Sequence, residues 1–369
     1  MKYLFVLLAC LILIYSCSRE KNEIVIGSIM NLSGDAGVYG QWASKGVDIA
    51  VEEINSSGGI NGKKLSILYE DDQADPVKAV SAFQKINSTR HIQAIIGPLG
   101  SSSTLAVAEM ANRNKVVIIS PIASSPKITD AGDYVFRVWP SDNVEGTLMA
   151  EFAKNKLGIK KIAIYYMNND YGLGIKNVFK SKFTELGGII SFSEAFNTKQ
   201  NDFRTSLNKI KLAEPSAIYI PGHVEEISNI LKQIKELGIH TQVLTTSAVD
   251  GPEIIKTARN AAENLIFTSP SFNPDSKDKT IQDFQKKYNL KFGVQAETVA
   301  AHAYDAAMIL FKTIKEVGNN SVSIKDKLYT TKDYKGVTGL MSFDKNGDIQ
   351  KPALVKKIVN GEIQIIAQQ

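Results

Sequence analysis

The stretch Ile95 to Thr104, Ile-Ile-Gly-Pro-Leu-Gly-Ser-Ser-Ser-Thr, constrains the fold more than any other part of the chain. Ile92 to Ile96 is short, apolar and β-branched, the pattern of a buried strand. Gly97, Pro98 and Gly100 end it, and Leu105, Ala108 and Ala111 then recur at helical spacing. The segment therefore reads as strand, tight turn, and a helix that opens on a run of hydroxyls. The first N–H groups of a helix have no intrahelical acceptor and lie at the positive end of its dipole, so they suit a carboxylate or a phosphate. A single serine at that place is a plain N-cap. Ser101, Ser102 and Ser103 together, behind two glycines, point to a ligand site.

The same alternation runs through the chain. Glu23 to Met30 is a strand, followed by the glycine-broken loop Asn31 to Gly40 and a helix with Val47, Ala50, Val51 and Ile54 on one face. Leu65 to Tyr69 is a strand that leads through the acidic loop Glu70 to Pro76 into another helix. Val116 to Ile119 is a strand ending in the hydroxyl-rich loop Ser120 to Pro126, and Tyr134 to Val138 closes this half. The second half repeats the scheme. Its strands are Lys161 to Tyr166, Ala217 to Ile220, Gln242 to Leu244 and Leu265 to Thr268, with Val144 to Leu157 a helix before the first of them. Such alternation predicts an α/β chain of two doubly wound parallel-sheet lobes. Ligands of such sheets sit beyond the carboxyl ends of the strands. Hydroxyl and aromatic residues collect at those ends in both halves, which places a cleft between the lobes. After Pro270 come two helices, Asp278 to Tyr288 and Ala296 to Val317. Gly339 to Phe343 and Leu354 to Val359 then flank an Asn346-Gly347 turn and are expected to pair as a hairpin.

The amino terminus gives the compartment. Leu4 to Ile14 is an apolar run behind Lys2, too short to span a bilayer comfortably, and the chain turns polar directly after Ser16-Cys17. This is a secretory leader, residues 1–17, with residues 18–23 as a tether. An uncleaved anchor, and a cleavage site at Cys10, are the other readings of the same residues. Of the two cysteines in the 369 residues none follows Cys17, so the mature part has neither disulfides nor thiol chemistry. The net charge of +5 is spread along the chain and forms no basic stripe, which argues against nucleic acid as a partner.

The motifs of catalysis are missing. Gly34, Gly37 and Gly40 do not have dinucleotide-loop spacing, Gly-x-Ser-x-Gly and His-Glu-x-x-His do not occur, and His91, His223, His240 and His302 are scattered. Asp344, Asn346 and Asp348 match only part of a calcium loop, and the hairpin turn is the better reading. Asp71, Asp72 and Asp75 read as loop acids, with Asp75 capping the helix that Pro76 opens. No cofactor, no metal and no enzymatic activity are expected.

Eight markers in order carry a resemblance: Met30 to Gly34; Val38-Tyr39-Gly40; Glu53-Ile54-Asn55 before Gly58 to Gly62; Asp71-Asp72; Gly97 to Thr104; Ser120-Pro121; Asp170-Tyr171-Gly172; and Phe343 to Asp348. In these the chain resembles the leucine/isoleucine/valine-binding proteins, the branched-chain amino acid type of solute-binding lipoprotein of ABC transporters. The resemblance covers about Ile24 to Ile365 and implies the type I periplasmic-binding fold, two lobes joined by a three-crossing hinge. The crossings fall near Trp139 to Asp142, Pro270 to Pro274 and Phe343 to Asp348. Lobe 1 is then 24–140 plus 272–343, and lobe 2 is 141–271 plus 344–369. The resemblance also implies a binding protein monomer outside the cytoplasm that serves an ABC permease. Cys17, after the small Ser16 at the end of the apolar run, resembles the lipidated cysteine of a bacterial lipoprotein, which would hold it at the membrane.

Carried over by position, the family's ligand contacts fall on Ser101 and Ser124 for the carboxylate, with Ser102 beside them. The Ile122 carbonyl and Ser124 meet the ammonium in the Ile122-Ala123-Ser124 loop, and Tyr39 and Tyr171 close over the side chain. The family's tyrosine after the next strand falls at His223. Its ammonium-binding glutamate falls at Ser247, with Asp250 the nearest acid. The expected ligand is a small carboxylate, a branched-chain or other neutral amino acid. A non-amino carboxylate such as an aromatic acid is the alternative, and a ligand-sensing or envelope lipoprotein of the same fold is the rival role.

Overall fold

A computed structural model describes residues 23–89 and 92–368. Cys17 and the leader, like His91, lie outside the described residues. The strands in chain order are β1 (Glu23–Met30), β2 (Lys64–Asp71), β3 (Ala94–Ile96), β4 (Val117–Ser120), β5 (Val135–Arg137), β6 (Lys161–Met167), β7 (Ile189–Phe196), β8 (Ala217–Ile220), β9 (Gln242–Thr245), β10 (Ile266–Pro270), β11 (Tyr334–Gly336), β12 (Gly339–Met341), β13 (Ala353–Val359) and β14 (Glu362–Gln368). One sheet has the order β2-β1-β3-β4-β5 and a second the order β14-β13-β10-β9-β8-β6-β7; β11 and β12 form a separate ribbon.

The first sheet is parallel throughout, with β1 and β2 in register from Glu23 opposite Lys64 to Met30 opposite Asp71. β3, β4 and β8 are buried along their whole length because helices cover both faces, and their continuous apolar runs are what such burial requires. In each sheet the strand order reverses once, at β1 in the first and at β6 in the second. The loops that leave the carboxyl ends on either side of a reversal diverge and open a crevice. Gly97 lets the chain turn there: its φ is +106°, and a Cβ would stand 2.0 Å from the Ile29 carbonyl oxygen.

The chain passes between the sheets after β5, after β10 and between β12 and β13, at the three implied crossings. On the second passage the Thr298–Val317 helix packs along the Gly37–Ser56 helix of the first sheet, so closely that a Cβ at Gly46 would lie 2.1 Å from the Ala300 carbonyl oxygen. At the third, fully buried Arg137 of β5 donates to Asp348 from Nε at 2.6 Å and from Nη2 at 2.7 Å. That two-point ion pair ties a crossing segment to the first sheet. It also accounts for the Asp344 to Asp348 acids. Asp348 faces Arg137, while Asp344 accepts from the Asn346 and Asp348 N–H groups and shapes the turn. Asp75 caps the Pro76–Thr89 helix through the Val77 and Lys78 N–H groups, as its position predicts.

Two expectations need correction. The second sheet is not purely parallel, since β13 and β14 add to it antiparallel beside β10. The expected hairpin pairing is also different. Asn346-Gly347 does turn the chain, closed by a bridge between Phe343 and Ile349, but Gly339–Met341 pairs back with Tyr334–Gly336. The Leu354 strand goes instead to β10, whose exposed backbone groups would otherwise lack partners. β13 and β14 form a second tight hairpin, joined at Asn360-Gly361 with φ of 53° and 74°, where both turn residues take the left-handed region. The expected helix from Val144 opens two residues earlier, at Asp142, with Ser141 as cap, and ends in a π-helical turn at Phe152–Lys156.

Candidate functional site

A cavity of about 80 Å³ lies where the carboxyl ends of the two sheets meet. That is far below the ~300–1,000 Å³ of drug-sized sites, so it suits a small solute. Nearly every strand-end loop contributes. Asn31 comes from the loop after β1, Gly100 and Ser101 follow β3, Ile122 and Ser124 follow β4, Trp139 follows β5, Tyr171 follows β6, His223 follows β8, and Ser247, Ala248 and Asp250 follow β9.

The wall from the first sheet is neutral and rich in donors. Ser101 opens the Ser101–Asn114 helix behind its N-cap Gly100, which has no side chain to cap it. The Ser101 Oγ accepts from the Ser124 N–H at 3.3 Å and the Ser125 N–H at 3.1 Å. With its acceptor capacity used in that way, the hydroxyl has its proton left to donate. The dipole end of the helix adds partial positive charge at the same place. Asn31 also lines the cavity, and its buried Oδ1 has no partner among the described residues.

Aromatic rings close the cleft. The Tyr39 hydroxyl donates to the Ala248 carbonyl at 2.8 Å and accepts the Val224 N–H at 2.9 Å, linking the Gly37–Ser56 helix to two loops of the second sheet. Tyr171 bonds Thr246 through its hydroxyl at 2.5 Å and stacks on His223 at 6.1 Å between ring centres. Burial lowers the His223 imidazole to about 4, so it is neutral near pH 7. Ser102 bridges the sheets in another way, donating to Asp170 at 2.9 Å, and Asp170 also meets Lys127.

The wall from the second sheet holds acids. Asp250 is buried in an ion pair with Lys356 at 2.8 Å, and Ser269 and Thr298 donate to it as well. Glu145 is buried behind Ser247. Its carboxylate accepts from the Ser247 hydroxyl at 2.9 Å, Thr268 at 2.9 Å, Trp139 Nε1 at 3.1 Å and the Ser247 N–H at 3.4 Å. Burial raises its carboxyl above the usual range, against those hydrogen bonds. Asp142, one turn earlier on the same helix, is pushed well up by burial first and by Glu145 second. Both acids, after burial itself, push the Tyr171 phenol up further. Among the described residues no three metal-ligating side chains converge.

Of the residues singled out from sequence, Tyr39, Ser101, Ile122, Ser124, Tyr171, His223, Ser247 and Asp250 line one cavity. Ser102 points to Asp170 instead, and Ala123 is buried beneath its loop with its N–H on Ser120 Oγ. Asp250 carries its own cation, Lys356, and so does not stand as a free replacement for an acid at position 247. Sequence reasoning missed Glu145 and Asp142. Their signal was two acids three residues apart in the first turn of a helix already placed at a sheet crossing.

The sequence matches the profile of a family described as periplasmic binding protein over residues 23–362. A Leu/Ile/Val-binding protein homolog 1 of Brucella abortus is 28% identical over 353 residues, 94% of each chain. The crystal structure of a leucine binding protein, LivK, from Thermotoga maritima is 30% identical with a TM-score of 0.88, covering 94% of this chain and 98% of that one. The LivJ substrate-binding protein of Streptococcus pneumoniae, solved with isoleucine, is also 30% identical, with a TM-score of 0.86 over 94% and 99% of the two chains.

Proposed function

The chain belongs to the periplasmic binding protein family, and from that membership we propose that it is the extracytoplasmic solute-binding component of an ABC importer. Its solute is a small carboxylate, a branched-chain or other neutral amino acid, held between the two walls of the cleft. The observation that supports this best is the Ser101 hydroxyl, which takes two backbone N–H donors and keeps its proton for a further acceptor at a helix start. A carboxylate satisfies that proton and the dipole together. Leucine and isoleucine, named with the relatives, are small solutes of the class proposed.

Binding is coupled to closure. The segments 24–140 plus 272–343 and 141–271 plus 344–369 move as two lobes, and Tyr39 and Ser102 make bonds that hold them shut. The family and fold are those of binding proteins, and we expect a bound solute to be recovered chemically unchanged. Cys17 carries the lipid that tethers a monomer near its permease. Among the described residues no helix is long and apolar enough to cross a membrane.

A thermal-shift screen of amino and organic acids tests the reading. A true ligand at 100 times its dissociation constant stabilises by about 2.7 kcal/mol. A screen in which no carboxylate shifts the unfolding temperature removes the proposal. Cys17→Ala should abolish metabolic labelling with palmitate, and persistent labelling removes the anchor.

A further inference from the structure

Glu145 is fully buried, and all four of its hydrogen bonds come from neutral donors. No lysine or arginine among the described residues forms an ion pair with it, whereas Asp250 has Lys356 and Asp348 has Arg137. Asp142, 1% exposed, is the second acid on this helix face, and its Oδ2 has no partner among the described residues. Arg137 lies near enough to Asp142 to favour its ionised form, but it is occupied by Asp348. Two adjacent buried carboxyls with too little positive charge are costly to ionise, and a bound cation removes that cost. Both stand one side chain behind the cavity. Ser247 lines the cavity and gives its hydroxyl proton to Glu145, so its lone pairs are left for a donor from the cleft. Ser124 lines the cavity and lies against Asp142, whose N–H donates to the Ser124 carbonyl at 2.8 Å.

We propose that Glu145, acting through the Ser247 hydroxyl and backed by Asp142 behind Ser124, supplies the negative charge for a solute ammonium group, so that the solute is an α-amino acid and not a plain carboxylate. The resemblance puts the family's acid at position 247; here a serine stands there and the charge comes from a helix in the same wall. The two ends of the solute then meet opposite fields, helix dipole and hydroxyl donors at Ser101, buried acids at Ser247. The inference rests on the cleft being the solute site.

The experiment is calorimetry with L-leucine, L-isoleucine and L-valine and with their des-amino analogues 4-methylpentanoate, 3-methylpentanoate and 3-methylbutanoate. It uses the unaltered protein, Glu145→Gln and Ser247→Ala. The unaltered protein should prefer an amino acid over its analogue by on the order of 100-fold or more, since a site built around a polar group rejects the compound lacking it. Glu145→Gln should reduce that preference to about tenfold or less by weakening the amino acid alone. Ser247→Ala should move it the same way, and provides the reading should the glutamine variant fail to fold. Full preference retained in either folded variant overturns the proposal, as does an unaltered protein that favours the analogue. Binding of neither series removes the proposed branched-chain specificity along with it, which distinguishes the two failures.

Discussion

Asp250 and Glu145 are both buried acids at the second wall of the cleft, and they are used differently. Asp250 meets Lys356 of β13 at 2.8 Å, so its charge is neutralised inside the fold. Glu145 meets two hydroxyls, an indole and a backbone N–H, and no cation among the described residues. One acid belongs to stability, since it joins the loop after β9 to β13. The other lacks a counter-charge among the described residues, which a solute cation is proposed to supply. Proximity in sequence to Ser247 favours Asp250, three residues on, but the acid that touches Ser247 is Glu145.

The largest expected effect breaks the Asp250 side of this comparison. Lys356→Met leaves a buried carboxylate without its cation and should destabilise the protein by about 3–5 kcal/mol in denaturant unfolding. Glu145→Gln removes no cation and should cost no more than about 1–2 kcal/mol in the same measurement. Equal losses would mean that the two acids are alike.

The next effect tests the opposite wall. Ser101→Asp puts a fixed negative charge where the solute carboxylate is proposed to lie, and should weaken binding by about 100-fold or more in calorimetry while the fold persists. Unchanged affinity would remove Ser101 from the site. Ser101→Ala should cost about 1–2 kcal/mol, because the helix dipole stays while one donor is lost.

The smallest effect is in pH. The folded carboxyls of Asp142 and Glu145 are raised by burial above their unfolded values near ~3.9–4.3. Protonation is therefore favoured in the folded state. The contribution is fully present below the unfolded values and is lost as pH rises through the raised folded ones. Without solute, Asp142→Asn should gain stability relative to the unaltered protein as pH climbs from about 4 towards 8, read as paired unfolding midpoints. A difference flat in pH would mean that Asp142 is compensated in the fold.

His223 tests the aromatic side. Its folded value is depressed to about 4, so its contribution is present above the unfolded value near ~6.5 and is lost as pH falls towards 4. His223→Phe should flatten that acid limb of stability.

The sequence by itself determined the element order, because the information is local. β-Branched runs make strands, Gly97 and Gly100 break one, and hydroxyls open the helix that follows. Placing the cleft at strand ends follows from the α/β pattern, and eight of the residues that the family resemblance puts there line one cavity. Only the tertiary structure decided which serine of the run faces the cavity and which reaches Asp170. It also decided that β13 joins β10 instead of the Gly339 strand. The pairing of acids was decided the same way. Asp250 finds its cation 106 residues away, and Glu145 finds Ser247 102 residues away. Periodicity and turn chemistry act over a few residues, whereas the neighbours of a buried charge are set by sheet order and by where the chain crosses between sheets.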